Sequence, residues 1–366
     1  MFPRWRLLSP ACGKGPVNIF FAGAGFTYDF GYDIGIRKRL LSWHANSEED
    51  IEGYVQGQAA GRESFGIIDS GAFTVWNKGG VINIDDYGDK LLQFLQHFDV
   101  AANLDVIPGK QGMAAKDLTR EITDDAARQS WANYLILTDK MKANGIDGNR
   151  IMPIYHQGES IDWLKRMVDH GCDYIGISPS NDYATGQRAL WLDDVYEYLN
   201  KLPKLPRTHG YAVTSPVLMR QYPWFSVDSS SWIQLGGYGC VSTPFGIVLL
   251  SERESVMGRP DSMDGRNWSP EMKEKIIAYF NKYNLDLDGL KKSYYERWKA
   301  NAIYLLDYER DFKYRPKLRA GGLFDEIPDL GFKKQVEYAK QDCFGLTIDG
   351  SKPKGDGPMH LYDAKS

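Results

Sequence analysis

Short apolar runs alternate with amphipathic stretches along most of the chain, which is typical of βα units around a parallel sheet. The apolar runs predict eight strands, at 17–23, 66–69, 99–105, 151–156, 173–178, 208–213, 224–228 and 245–250. Eight strands alternating with helices over about 250 residues favour an α/β fold of the (β/α)8 TIM-barrel type, with a C-terminal helical extension. A doubly wound sheet is the alternative, because strand spacing does not show closure.

The predicted helices carry recognisable capping residues. Ser160 and Thr123 each precede a helical pattern, and Ser215 is followed by a proline at the first helical position. Two more helices are expected after the eighth strand, over 270–283 and 287–310. One of them should be the helix that closes the barrel. We expect a barrel domain over 1–310 and a basic, aromatic extension with a loose tail over 311–366.

Composition points to an ordinary globular protein, with 43% hydrophobic and 25% charged residues among 366. The net charge of −4 gives no overall attraction to nucleic acid, so a nucleic-acid partner would need a local basic patch. Candidate patches are Arg37-Lys38-Arg39, Lys291-Lys292 with Arg297 and Lys299, and the segment 313–319. For each patch, a solvated charged face is at least as good an interpretation.

Cysteine spacing and hydropathy indicate a cytoplasmic protein. Cys12, Cys172, Cys240 and Cys343 are scattered and form no CxxC pair, so reduced thiols are expected and zinc-finger spacing is missing. No apolar run approaches the length of a membrane span, and the N-terminus lacks the apolar stretch of a signal peptide. We therefore expect no membrane partner, while the oligomeric state stays open.

Polar residues stand at the ends of several predicted strands. Asp69, Asp105, His156 and Asp228 each follow such a run. Because the carboxyl ends of the strands form the active site of a TIM barrel, these side chains should converge on one mouth. Two carboxylates flanking a C1′ carbon suit glycosidic chemistry, in which one attacks and the other handles protons. A strand-end Asp taken alone is more often a helix cap, and a metal site here lacks diagnostic spacing.

The ordered set of strand ends resembles the tRNA-guanine transglycosylases, a (β/α)8 family that exchanges guanine for a 7-deazaguanine. The segment 69–73, DSGAF, resembles the family's DSGGF motif, and Gln157-Gly158 resembles its VQGG motif. Gly176-Ile177 resembles the glycine-containing stretch that contacts the base, and Asp228 in WFSVDSSSW matches the late Asp of the family. The order of the motifs agrees across roughly residues 60–235.

The resemblance implies a role for each matched residue. Asp228 would be the covalent nucleophile and Asp69 the general base, while Asp105 and Gln157 would read the purine edge. The other predicted substrate-binding residues are Ser70, Gly71, Phe73, His156, Gly158, Gly176, Ile177, Ser178, His209 and Gly210. Aromatic rings that could stack on the base are Phe73, Tyr155 and Tyr211, although packing is the commoner role of such residues.

The chain departs from the tRNA enzymes in one respect, since it has no CxCxxC-plus-His cluster, and we expect neither zinc nor another cofactor. The pattern is more similar to the DNA branch of the superfamily, the DpdA-type DNA guanine transglycosylases. That resemblance implies DNA and a 7-deazaguanine base such as preQ0 as partners, and protection of phage DNA from restriction in the bacterial host cytoplasm.

Three alternatives to this reading stay open. The chain could be a tRNA-guanine transglycosylase with tRNA as its partner. It could instead be a retaining glycoside hydrolase, which needs no free purine. A noncatalytic nucleic-acid-binding barrel would not depend on Asp228.

Overall fold

The computed structural model describes residues 17–312, apart from 24–27, 110–112, 114–116, 253–262 and 265–267. The predicted basic segment 313–319 lies outside the described residues, as does nearly all of the predicted extension 311–366. None of the described helices is both long and apolar enough to cross a membrane.

Nine parallel strand segments form the main sheet. They are β1 Asn18–Ala22, β2 Lys38–Ser42, β3 Phe65–Asp69, β4 Val100–Ala102, β5 Ile151–Met152, β6 Ile154–His156, β7 Tyr174–Ser178, β8 Arg207–Gly210 and β9 Ser226–Ser229. Their order is β5-β4-β3-β2-β1-β9-β8-β7-β6. The two outermost segments are halves of one strand, interrupted at Pro153, whose ring removes the backbone N–H. The sheet therefore closes on itself as an eight-stranded barrel.

Helices follow the strands in the order of a (β/α)8 fold, which confirms the predicted fold class. They are α1 Tyr28–Ile34, α2 Glu48–Ala59, α3 Ala72–Asn77, α4 Ile84–Phe94, α5 Arg120–Ala143, α6 Ile161–Asp169, α7 Thr185–Leu199, α8 Pro216–Gln221, α9 Ser231–Gly237, α10 Pro270–Lys282, α11 Leu287–Lys292 and α12 Tyr294–Arg310. The Ser160 cap is confirmed, since its hydroxyl accepts from the backbone N–H of Asp162. Thr123 is not a cap, because α5 begins earlier and is capped by Thr119.

The closing helix of the barrel is α12. Its Trp298 and Leu305 belong to the apolar layer between strands and helices, and the Trp298 indole donates to the carbonyl of Ile233 on α9. The Tyr308 hydroxyl donates to the carbonyl of Pro216 on α8. The helix therefore covers the outside of the barrel where the first strand, β1, pairs with the last, β9, and it is in contact with β1. The expectation that a late helix closes the barrel is confirmed.

The predicted eighth strand at 245–250 is wrong as a barrel strand. The corresponding β11, Gly246–Leu249, pairs antiparallel with β10, Cys240–Thr243, in a separate three-stranded sheet with β12, Met263–Asp264. The barrel strand missing from the prediction is β2, with the sequence KRLLS. The strand begins with two basic residues and therefore looks polar in the sequence. The acidic residues that pair with them are distant in sequence.

The contacts of these basic residues also argue against the predicted phosphate-binding patch at 37–39. Arg39 is fully buried, and its Nε lies 2.9 Å from Oε1 of Glu63. Lys38 pairs with Glu309. Both residues stand at the amino end of β2, opposite the strand ends that carry the predicted site. This patch therefore stabilises the barrel and is not available to nucleic acid at the mouth.

Period-two alternation sorts the side chains of each strand between the barrel interior and the helix layer. The apolar interior consists of Phe20, Ala22, Leu40, Phe65, Ile67, Val100, Met152 and Tyr174. On β3 the same alternation continues from Phe65 and Ile67 to Asp69, which therefore faces inward at the carboxyl end. Strand pairing places Asp69 opposite Ser42, and Asp228 opposite Phe20. The polar ends of the strands thus cap an apolar core.

Candidate active site at the carboxyl ends of the barrel strands

Asp69 ends β3, and its Oδ2 accepts a hydrogen bond of 2.9 Å from the backbone N–H of Gly71. Burial, together with the negative charges of Asp105 and Asp228, raises the pKa of Asp69 from 3.8 to about 7. The Gly71 N–H and the nearby Ser42 hydroxyl oppose this rise. A carboxyl group with a pKa near neutrality can both release and take up a proton at working pH, as a general acid–base group must.

Asp228 lies on β9 and is 7% exposed. Its Oδ1 accepts from His209 Nε2 and from the backbone N–H of Ala212, each at 3.2 Å. Ala212 has a φ of 53°, the left-handed region that residues other than glycine seldom adopt. Within the described part of the chain both hydrogen bonds fall on Oδ1, which leaves Oδ2 to face a ligand.

A buried chain of hydrogen bonds runs beneath Asp228. His209 Nδ1 lies 2.6 Å from the Ser226 hydroxyl oxygen, which lies 2.5 Å from the Tyr174 hydroxyl oxygen. Because a carboxylate only accepts, His209 Nε2 carries the proton given to Asp228, and in the neutral imidazole Nδ1 accepts from Ser226. The Tyr174 hydroxyl then donates to Ser226. Every polar group in the chain has a partner, and the imidazole is held in one orientation.

Asp105 follows β4 and is held by His156, the last residue of β6. His156 Nε2 lies 2.8 Å from Asp105 Oδ2, and Nδ1 lies 2.9 Å from Glu159 Oε1. Burial alone would lower the pKa of His156, but hydrogen bonds and charge attraction from the two carboxylates raise it to about 10. The imidazolium therefore holds one oxygen of Asp105 and leaves the other for a ligand.

The loop after β6 positions Gln157 and Gly158. The Gln157 side-chain oxygen accepts from the backbone N–H of Ser180 at 3.0 Å, and the backbone N–H of Gln157 donates to the carbonyl of Ser178. The Gly158 carbonyl accepts from the Thr123 hydroxyl, and the φ of 108° explains the glycine. In the described region, the amide NH2 of Gln157 is the part of that side chain left to donate to a ligand.

The segment after Asp69 builds a turn into α3. The fully buried Ser70 hydroxyl accepts from the backbone N–H of Ala72. Gly71 has a φ of 76°, and a Cβ there would lie 2.7 Å from the Ser42 hydroxyl oxygen. Phe73 is 61% exposed, and its ring stacks on that of Trp76 with centroids 6.2 Å apart. Ser70 and Gly71 are therefore structural, while Phe73 offers an exposed ring one turn from Asp69.

Some predicted substrate-binding residues do not reach the mouth. Ile177 is fully buried in the layer between strands and helices, and its carbonyl accepts from the backbone N–H of Tyr211. His209 is also fully buried, below Asp228. A Cβ on Gly210 would lie about 3 Å from Val213 and Trp224, so that glycine permits close packing. These residues shape the wall of the site and support its carboxylates.

Gly176 and Ser178 lie on the inward face of β7, in line with Tyr174 of the barrel interior. A Cβ on Gly176 would lie 2.7 Å from the Tyr211 ring, so the glycine leaves space for that ring. Ser178 is partly exposed and pairs in register with His156 across the two strands. Both residues therefore belong to the floor and rim of the mouth.

Sequence reasoning missed several residues that complete the site. Glu159, Ala212, Ser226 and Tyr174 were not singled out, although each holds or supports a predicted site residue. Two of them carried a local signal, since Ser226 is two residues before Asp228 on the same strand face and Glu159 is three residues after His156. Tyr174 gave no such signal, because its partner is on another strand.

The second predicted basic patch is largely committed to the fold. Arg297 is 3% exposed and donates to the carbonyls of Gly236 and Leu290. Lys291 pairs with Glu252 and Asp288 on the surface. As for metals, no group of three or more His, Cys, Asp or Glu side chains within the described ranges could hold an ion.

Comparison of the chain with models of known protein families gives no match, and no curated protein is significantly similar to it. Its function therefore has to be inferred from the site.

Proposed function

We propose that the protein is a base-exchange transglycosylase that replaces guanine in DNA with a 7-deazaguanine such as preQ0. One observation supports the proposal most. Asp69 has a pKa near neutrality because it is buried and feels the charges of Asp105 and Asp228 at the same barrel mouth. One fixed nucleophile, one proton-handling acid and one further carboxylate for a purine edge are what this exchange requires.

In the first half-reaction, Asp228 Oδ2 attacks C1′ while the C1′–N9 bond breaks and its electron pair passes to guanine. Protonated Asp69 gives its proton to the departing base, which leaves as neutral guanine. In the second half, N9 of the incoming deazaguanine loses its proton to the Asp69 carboxylate and bonds to C1′. The C1′–Oδ2 bond breaks, so both aspartates return to their starting states.

The choice of purine rests on the groups around Asp105. His156 occupies Asp105 Oδ2 and leaves Oδ1 to accept from a purine N–H. The Gln157 NH2 can donate to a purine carbonyl, since its oxygen is engaged by Ser180. A base inside a duplex cannot reach the barrel mouth, so the target nucleotide must be unstacked and turned out.

The decisive experiment measures exchange directly. The full chain would be incubated with duplex DNA, single-stranded DNA or tRNA and with labelled guanine or a panel of 7-deazaguanines, followed by nucleoside mass spectrometry. A modified deoxynucleoside is the expected result. Label found only in tRNA would favour the tRNA enzyme, and sugar release without a purine acceptor would favour a glycoside hydrolase.

Two variants identify the nucleophile in the same assay. Asp228→Asn should lower exchange roughly 10³-fold or more and abolish the covalent nucleic-acid adduct seen by denaturing gel. Asp85→Asn, at a carboxylate whose side chain is 78% exposed on α4, should leave exchange unchanged. Nucleic-acid binding that persists in Asp228→Asn without any wild-type exchange would point to a noncatalytic barrel.

A further inference from the structure

Tyr211 follows β8 directly, at the floor of the barrel mouth. Its ring meets that of His209 edge to face, with centroids 4.7 Å apart and an interplanar angle of 82°. On the other side the ring lies so close to Gly176 that a Cβ there would be 2.7 Å away. Packing on two sides fixes the ring, and with it the position of the hydroxyl group.

The Tyr211 hydroxyl is buried, yet it has no hydrogen-bond partner among the described residues. Burial raises the pKa of Tyr211 well above its ordinary value, and the charges of Asp69, Asp228 and Asp105 raise it further. The phenol therefore stays protonated and remains a donor. The Tyr211 side chain packs on the apolar barrel interior that the strand-end carboxylates cap, so it lies at the same mouth.

A buried donor without an acceptor is unfavourable, and native structures contain few of them. Two other tyrosine hydroxyls near the barrel interior are satisfied. Tyr174 bonds to Ser226, and Tyr87 donates to the carbonyl of Ala102. The Tyr279 hydroxyl, which among the described residues is also buried without a partner, lies in the separate cluster around Phe280. The Tyr211 hydroxyl, in contrast, lies where a ligand would bind. An acceptor atom on that ligand would give this donor its partner.

We propose that Tyr211 is a catalytic residue whose hydroxyl donates a hydrogen bond to the purine as the C1′–N9 bond breaks. The inference rests on the proposed base exchange and assigns a further polar group to the departing base. Negative charge builds up on the purine nitrogens as the bond electrons arrive, and a fixed neutral donor stabilises that charge. Asp69 still carries out the proton transfer, so Tyr211 neither gains nor loses a proton.

Tyr211→Phe tests the proposal, because it removes the hydroxyl and keeps the ring that packs on Gly176. A matched control is Tyr196→Phe, which removes a buried hydroxyl that bonds to Thr208 at 2.8 Å, away from the carboxylates. Exchange of labelled guanine into DNA would be measured as kcat and KM, and thermal unfolding as Tm, for all three proteins.

Tyr211→Phe should lower kcat about 10- to 100-fold, as expected for loss of one donor to developing charge, with KM for the base changed less. Its Tm should not fall, because no protein hydrogen bond is lost. Tyr196→Phe should show the reverse, with a lower Tm and an unchanged kcat. Wild-type kcat in Tyr211→Phe, or a Tm lowered as in Tyr196→Phe, would overturn this inference alone. A wild-type protein that exchanges no base would overturn the proposed function with it.

Discussion

His209 Nε2 donates to Asp228 Oδ1 over 3.2 Å, from a position with no solvent exposure. The carboxylate is thus held from below through one of its two oxygens, and the backbone N–H of Ala212 holds the same oxygen. The strain of the left-handed Ala212 backbone is consistent with a functional need for this second donor. Attack on C1′ requires Asp228 Oδ2 to be held in the correct orientation.

Cutting this support should impair both exchange and folding. His209→Phe keeps an aromatic ring but leaves Asp228 and Ser226 without their imidazole partner. We expect kcat for exchange to fall about 10- to 100-fold and the free energy of unfolding to fall by about 1–3 kcal/mol. Tyr174→Phe, which breaks only the far end of the chain, should have a smaller effect on kcat. Equal effects of the two variants would contradict a positioning role for His209.

The pKa of Asp69 predicts a pH-dependent stability. Because this pKa is raised from 3.8 to about 7 in the folded protein, the native state binds the proton more tightly than the unfolded chain. The contribution of Asp69 to stability is therefore fully present below pH 3.8 and is lost as the pH rises through about 7, with an upper limit of about 4 kcal/mol.

Asp69→Asn should not show that loss. Relative to wild type, the variant should gain stability between pH 5 and pH 8 in urea unfolding experiments, while exchange falls at every pH. Wild-type exchange should depend on an ionisation near pH 7. A stability difference between the two proteins that is constant from pH 5 to pH 8 would argue against the raised pKa.

His156 gives a pH dependence of the same sign, but at higher pH. Its pKa is raised from 6.5 to about 10 in the folded protein, so its stabilisation is fully present below pH 6.5 and is lost as the pH rises through about 10. His156→Gln should lower the free energy of unfolding at pH 6 by about 3 kcal/mol, because it leaves Asp105 and Glu159 without a charged partner. The deficit should shrink above pH 10.

The same variant should weaken base recognition. Asp105 loses the group that holds its Oδ2, so KM for the purine should rise about 10-fold, with kcat less affected. Lys165→Gln, at an exposed α6 residue paired with Asp162, is a suitable charge-removal control. An unchanged KM in His156→Gln would mean that Asp105 is aligned by other contacts.

Gly176→Ala tests the contact between β7 and Tyr211. The added methyl group would lie 2.7 Å from the Tyr211 ring, so the ring must move. We expect a loss of about 1–3 kcal/mol in unfolding free energy and a reduced kcat. Gly186→Ala, in α7 with no atom within 4 Å of the new methyl group, should instead stabilise by up to about 1 kcal/mol. Full activity in Gly176→Ala would show that the ring position is unimportant.

Seven barrel strands and the polar residues at their carboxyl ends followed from the sequence because both depend on local patterns. Apolar runs ending in a polar residue located Asp69, Asp105, His156 and Asp228. β2 was missed because a strand that starts with Lys38 and Arg39 looks polar until Glu309 and Glu63 are known to meet it. The apolar segment around β11 replaced it in the prediction, since sequence does not reveal which sheet a strand joins.

The roles of buried polar residues were the least predictable. His209 reads as a strand-end ligand in sequence, but period two puts it one layer below the mouth, next to Ser226. The raised pKa of Asp69 depends on its burial and on the charges of carboxylates from two other strands, which no local pattern encodes. Contacts between strands that are far apart in sequence therefore decide which polar residues bind and which support.

The late position of α12 has a consequence for how the barrel is made. All barrel strands are present once Ser229 has been synthesised, but the helix that packs over β1 begins only at Tyr294. On the ribosome, the apolar outer face of β1 therefore stays uncovered until a much later segment emerges. Contacts of such long sequence separation slow folding and expose apolar surface in the meantime. A chain that ends before α12 would contain every strand and still lack the outer layer over its own first one.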